Sequence, residues 1–174
     1  MRFFFQATAI LLLAALAGSI AFFTLTSPRP QPGTPLPVLN LSPLDGYPGF
    51  QASATGEPYL INIWGSWCAP CRFEHATLMA LKAEGITIYG INWRDETRDA
   101  HAFLEELGNP YDGILADPDG QAVRLLEITG APETLIINHR GEIVGRWGGP
   151  ITVDALRQEI YPSLEQAWQR TPSR

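Results

Sequence analysis

Tyr59-Leu60-Ile61-Asn62-Ile63-Trp64-Gly65-Ser66-Trp67-Cys68-Ala69-Pro70-Cys71 joins an apolar run to the only two cysteines of the chain. The run Tyr59 to Trp64 predicts a buried strand, and Arg72 to Glu84 carries helical patterning up to the break at Gly85. A C-x-x-C pair set between a strand and a helix start is a dithiol redox arrangement. The placement suits the chemistry. A thiol at a helix N-terminus faces unpaired N–H groups and the positive end of the dipole, and both stabilise its thiolate. The second thiol, one turn on, lies on the same face and can close a disulfide onto the first. Two plainer uses of the pair stand beside this one. Cys68, Cys71 and His75 offer three of the four ligands of a zinc site, while His101 and His139 stand alone in the sequence. An inert bridge is the other, although a loop this small adds little stability.

A chain of 174 residues has room for one domain and an appendage. Its net charge of −6 argues against nucleic acid, which calls for a basic face, and a 45% hydrophobic content suffices for a real core. From Phe3 to Leu25 the sequence is almost unbroken apolar, with Arg2 before it. As a helix this run is long enough to cross a hydrocarbon core of about 30 Å. Ala15-Leu16-Ala17 resembles a cleavage site, but the apolar run continues past it, so a transmembrane signal anchor over residues 1–26 is expected. Residues 27–37, SPRPQPGTPLP, read as an extended spacer, which leaves 38–170 for the folded domain. Arg2 and the free amine favour a cytoplasmic N-terminus, placing that domain outside the cytoplasm. There a dithiol meets oxidising conditions and needs a supply of electrons to act as a reductant.

Along the domain, Val38 to Leu41 is a short apolar run that predicts an edge strand, and Ile86 to Trp93 a second central strand. Thr97 to Leu107 has helical spacing, Ile114 to Ala116 is a short strand, and Gln121 to Leu126 a short helix. Thr134 to Asn138 and Glu142 to Trp147 flank His139-Arg140-Gly141 as a hairpin, and Thr152 caps a last helix reaching about Trp168, with Pro162 inside it. Strands and helices alternate around a mixed sheet: the class is α/β.

Four stretches are more specific than a C-x-x-C: Asn62 to Arg72, Glu74-His75, Gly90-Ile91-Asn92-Trp93-Arg94-Asp95, and Thr129-Gly130-Ala131-Pro132-Glu133-Thr134. Through them the chain resembles the CcmG/DsbE family, the thioredoxin-like proteins of cytochrome c maturation, over most of Leu36 to about Ala155. One departure is visible: the family usually has proline after Glu-His, where this chain has Ala76. The resemblance implies a thioredoxin-like fold behind the anchor. It also implies a single-pass protein of the bacterial inner membrane whose catalytic domain lies on the periplasmic side. Such a disulfide reductase would keep the haem-binding cysteines of apocytochrome c, or a partner thiol protein of the haem-attachment machinery, reduced. Its electrons would come from a membrane thiol transporter of the CcdA/DsbD kind. It implies no metal and no cofactor beyond the Cys68–Cys71 dithiol. A broader-specificity reductase resembling TlpA or ResA is a second expectation, and a non-catalytic module binding apocytochrome or haem-lyase components a third.

Residue by residue, Cys68 is the expected attacking thiolate and the more exposed of the pair, with Cys71 resolving the mixed disulfide. Ala69-Pro70 between them is close to the Gly-Pro of thioredoxin, which points to a reducing couple. Pro70 fixes the turn. Ala131–Pro132 is expected to be a cis bond that offers backbone groups to a substrate strand. Where thioredoxin has a buried aspartate this chain has Asn62, so a carboxylate to take the Cys71 proton must come from elsewhere: Glu133 is the first candidate and Glu74 the second. Trp67 is expected to shield the cysteines and touch the partner, with Trp64 in the core. Asn92 and Asp95 are candidates for a partner-facing acidic groove, and Arg72, His101 and His139 for solvated residues.

Overall fold

The structure, a computed structural model, describes residues 33–51 and 56–169. In chain order these form β1 (Thr34–Pro35), β2 (Tyr59–Trp64), α1 (Ala69–Ala83), β3 (Ile88–Trp93), α2 (Thr97–Leu107), β4 (Gly113–Asp117), α3 (Gln121–Leu125), β5 (Glu133–Ile137), β6 (Glu142–Gly148), α4 (Val153–Ala155) and α5 (Tyr161–Gln169). The strands make one sheet in the order β1-β6-β5-β2-β3-β4. Its β2, β3 and β4 run parallel, while β5 lies antiparallel to β2, and β6 and β1 continue that antiparallel half. This is the mixed sheet that the alternation of elements predicts.

All six residues of β2 are buried, because both faces of a central strand are covered. Its alternate side chains feed two cores. Leu60 and Trp64 pack with Leu78 and Leu81 of α1, Phe103 of α2 and Leu164 of α5. Tyr59, Ile61 and Ile63 pack on the other side with α3 and the segment around Leu36. By the same alternation Asn62 points to the α1 side, and on β5 Thr134 and Ile136 share that side while Glu133, Leu135 and Ile137 face away.

Most strand ends shift by one or two residues from those expected, and three departures go further. Helix α1 begins at Ala69 and not at Arg72, because Cys68 is its extended N-cap (φ −90°, ψ 101°) and a proline is tolerated in a first turn whose N–H groups lack partners anyway. Its 15 residues run unbroken through Ala76. The edge strand is Thr34–Pro35, within the stretch read as spacer, and not Val38 to Leu41. Leu36 still donates to the Gly141 carbonyl at 2.9 Å, but Pro37 has no N–H to continue the pairing and Val38 lies exposed. At the other end, α4 and α5 are joined by a π-helical turn, Leu156–Ile160, which takes up the hydrogen-bonding break that Pro162 imposes. The anchor expected over 1–26 lies outside the described residues, as do residues 27–32 of the spacer. No helix of the described residues is long and apolar enough to cross a membrane.

Candidate active site

β2 delivers the chain to the cysteines and α1 carries them away. Cys68 and Cys71 form a disulfide with S–S 2.02 Å, and the Cys68 sulfur also accepts the Cys71 N–H at 3.1 Å as the helix N-cap. In this oxidised state the two cysteines are equally covered, 2% exposed each, so Cys68 is not the more accessible of the pair. Position distinguishes them: Cys68 sits at the helix mouth and Cys71 inside the first turn, with Ala69 and Pro70 exposed between them.

The approach loop is held by one carboxylate. Asp95 accepts from the Ser66 N–H and the Ser66 hydroxyl, both at 2.6 Å, and from the Asn92 amide at 2.8 Å. Asn92 is buried and Asp95 half-buried, so the two brace the loop from the end of β3, and the carboxylate offered to a partner groove is already engaged. Arg94, beside them, adopts φ 47° and lays its guanidinium over the Trp93 ring. Trp67 folds back over Gly65, donates to the Trp93 carbonyl at 2.9 Å and meets the Trp93 ring edge-on, while staying 52% exposed. A Cβ on Gly65 would lie 2.4 Å from the Trp67 indole nitrogen, so this lie of the ring requires glycine there.

Beneath the cysteines lies a buried carboxylate. Glu74, one turn beyond Cys71 on the inner face of α1, accepts from the Asn62 amide at 2.9 Å and from the Ile151 N–H at 2.7 Å. Asn62 also donates to the Thr134 hydroxyl at 3.0 Å, and the Tyr111 hydroxyl donates to the Asn62 carbonyl oxygen at 2.9 Å. Burial pushes the Glu74 pKa up to about 7, against the smaller pull of the two donors. Burial, and then the neighbouring Glu74, hold the Tyr111 phenol well above its ordinary range, so it remains a donor. A carboxyl whose pKa is raised to about 7, one helical turn along the chain from Cys71, is suited to take a thiol's proton.

Glu133, the first candidate from sequence, stands elsewhere. Its side chain points to the face of the sheet opposite α1, where it pairs with Arg146 and accepts from the Thr129 N–H at 3.1 Å. Arg146 is fixed there in turn by the Leu126 and Glu127 carbonyls. The sheet therefore separates Glu133 from Cys71, and its charge is spent on a buried ion pair. The Ala131–Pro132 bond next to it is cis. Because Glu133 registers with Ile63, Pro132 extends β5 toward the end of β2 from which the cysteine loop leaves. The Pro132 carbonyl accepts from the Gly149 N–H at 2.9 Å.

His75 is buried, bonded through Nε2 to the Gly108 carbonyl at 2.9 Å and edge-on to Phe103, and its burial lowers its pKa. Arg72 is exposed and pairs with Glu106 while lying over Phe103. His101 bonds the Asp45 carbonyl at 2.7 Å. Among the described residues no group of three His, Cys, Asp or Glu side chains is arranged to hold a metal ion. Tyr111, Thr134 and the Ile151 N–H were not legible as site groups. The signal pointing to them was Asn62, a polar residue inside an apolar strand that had to find buried partners.

The Redoxin family profile matches residues 31–158. The chain belongs to the Redoxin family. Within it, the chain is 41% identical over 138 residues to the thiol:disulfide interchange protein DsbE of Escherichia coli (strain K12), covering 77% of this chain and 74% of that one. It is 40% identical over 134 residues to the thiol:disulfide interchange protein HelX of Rhodobacter capsulatus, covering 76% of each. Among solved structures, a secreted thiol-disulfide isomerase from Corynebacterium glutamicum superposes with a TM-score of 0.62 at 25% identity, over 75% of this chain and 85% of that one. The fold is thus thioredoxin-like, and this Redoxin protein is a thiol–disulfide oxidoreductase with Cys68 and Cys71 as its dithiol pair.

Proposed function

We propose that this Redoxin protein is a membrane-anchored, periplasm-facing disulfide reductase of cytochrome c maturation. It keeps the haem-binding cysteines of apocytochrome c, or a partner thiol protein of the attachment machinery, reduced. The observation that carries the reading is a disulfide-forming pair in the first turn of α1 with Cys68 as the N-cap, in a chain about 40% identical to DsbE and HelX.

In the reduced protein the Cys68 thiolate, stabilised by the first-turn N–H groups, attacks one sulfur of the substrate disulfide. A bond forms between Cys68 and that sulfur, and the substrate's other sulfur leaves as a thiolate. The Cys71 thiol then gives its proton to the Glu74 carboxylate and attacks the Cys68 sulfur. The second substrate sulfur departs as a thiolate and the Cys68–Cys71 disulfide is formed. Two electrons have passed to the substrate, and a membrane dithiol donor of the CcdA/DsbD kind returns them. Trp67 and Pro70 form the exposed rim on which the partner lands. With the Pro132 carbonyl engaged by Gly149, Ala131 is the residue whose backbone pairs with the extended substrate.

Trapping tests the reading. Cys71→Ser in the full chain leaves the mixed disulfide unresolved, and the protein covalently held on Cys68 is then identified. Recovery of apocytochrome c or a haem-attachment thiol protein is expected. Recovery of unrelated periplasmic proteins alone, with cytochrome c assembly unaffected by loss of both thiols, would overturn it.

A further inference from the structure

Asn62 is surrounded by three polar partners, each fully enclosed: the Tyr111 hydroxyl, the Thr134 hydroxyl and the Glu74 carboxylate. An amide can sit in such a pocket in two orientations, nitrogen toward the carboxylate or oxygen toward it. Tyr111 decides between them. Thr134 can donate or accept and so accommodates either, whereas the buried phenol needs an acceptor for its proton. The Asn62 oxygen supplies that acceptor only when the amide nitrogen faces Glu74. Turned the other way, the amide would leave the Tyr111 proton buried without a partner and set a carbonyl oxygen against a carboxylate.

We propose that Tyr111, acting through Asn62, is the positioning residue for the carboxylate that receives the Cys71 proton. This rests on the reading of Glu74 given above. The Tyr111 ring is itself fixed by stacking on Trp64, with centroids 5.4 Å apart, so its hydroxyl reaches Asn62 from a rigid wall. Among the described residues, the partners of Glu74 are neutral donors and no charged side chain pairs with it. From β2 it meets Asn62, and from the segment before α4 the Ile151 N–H. On its own helix, Arg72 turns to Glu106 and His75 to Gly108, while Glu133 and Arg146 are paired on the far face of the sheet.

The test uses the reduced full chain with Ellman's reagent as the probe disulfide. The aromatic group on Cys68 is released as thionitrobenzoate when Cys71 attacks, and its absorbance is followed from pH 5 to 9. In parallel, the Glu74 carboxyl carbon is titrated by 13C NMR. Tyr111→Phe keeps the ring and removes only the hydroxyl. It is expected to move the Glu74 titration upward by about one unit, leaving roughly a tenth rather than half of the carboxylate ionised at pH 7. Release at that pH then slows about fivefold, with little change at pH 9. In an Asn62→Ala background, which has lost the amide already, Tyr111→Phe should add nothing further. An unchanged Glu74 titration in Tyr111→Phe, or the same shift in the presence and absence of Asn62, overturns the proposal. If instead Glu74→Gln leaves the release profile unaltered while Tyr111→Phe still moves the Glu74 titration, the positioning stands and the proton-accepting role of Glu74 falls.

Discussion

Two glutamates of this Redoxin protein show how little a residue's type says about its role. Glu74 and Glu133 are both buried, at 0% and 2% exposure, yet only Glu133 has a cation to pair with. Burial raises the Glu74 pKa to about 7, and its two neutral donors offset only part of that rise. Exchanging each for glutamine should separate them. Glu74→Gln is expected to slow mixed-disulfide resolution about a hundredfold above pH 7 and to flatten its pH profile, measured by stopped-flow release from Cys68. Glu133→Gln should leave that profile in place and instead cost about 2 kcal/mol of stability in urea unfolding, since Arg146 keeps its position but loses its counter-charge. A shifted profile in Glu133→Gln would return it to the chemistry.

At the level of elements, the active-site loop depends on the end of β3. β3 carries Asn92 next to its last residue, Trp93, and leads into Asp95, which grips Ser66 by both its N–H and its hydroxyl. Asp95→Ala is expected to destabilise the fold by roughly 2 kcal/mol, since two donors lose a charged acceptor. It should also slow disulfide reduction by loosening the turn that presents Cys68. Asp95→Asn, which keeps one acceptor oxygen, should recover part of both, as read by urea midpoints and steady-state reduction of a protein disulfide. Equal activity in wild type and Asp95→Ala would show that the turn holds itself.

For the molecule as a whole, the buried acid makes stability pH-dependent. The Glu74 pKa is raised from 4.5 to about 7 on folding, so between those values the native state binds more protons than the unfolded chain. Stability therefore falls as pH rises through that window, by about 3 kcal/mol in all, and levels off above it. His75 works the other way. Its pKa is lowered on folding, so the fold loses stability as pH drops below the ordinary histidine range and His75 must be held neutral. The Glu74 contribution is isolated by comparing wild type with Glu74→Gln in urea unfolding at pH 4.5, 6 and 8. The variant should gain on the wild type as pH rises, and a constant difference across the three would mean that Glu74 is ionised throughout.

The sequence alone determined the strand, the cysteine pair and the helix that follows, because alternating or continuous apolar runs and a capped helix start are local properties written within a dozen residues. Thr97–Leu107 was legible to its ends for that reason, and the hairpin around Gly141 to within one residue at each strand end. What lies across the sheet was not legible. Whether a glutamate at 133 faces the cysteines or turns its back on them depends on the register of β5 against β2, and one residue of slip reverses it. In the same way Asn62 announced a buried polar group without naming its partners. Tyr111 lies 49 positions away and Ile151 meets Glu74 across 77. Only the folding of distant segments onto one face of the sheet brings those groups within hydrogen-bond reach, and that is why the pair of thiols could be read from the chain, with Glu133 and Glu74 as candidate acids, while which of the two lies on the side of α1 was decided only in three dimensions.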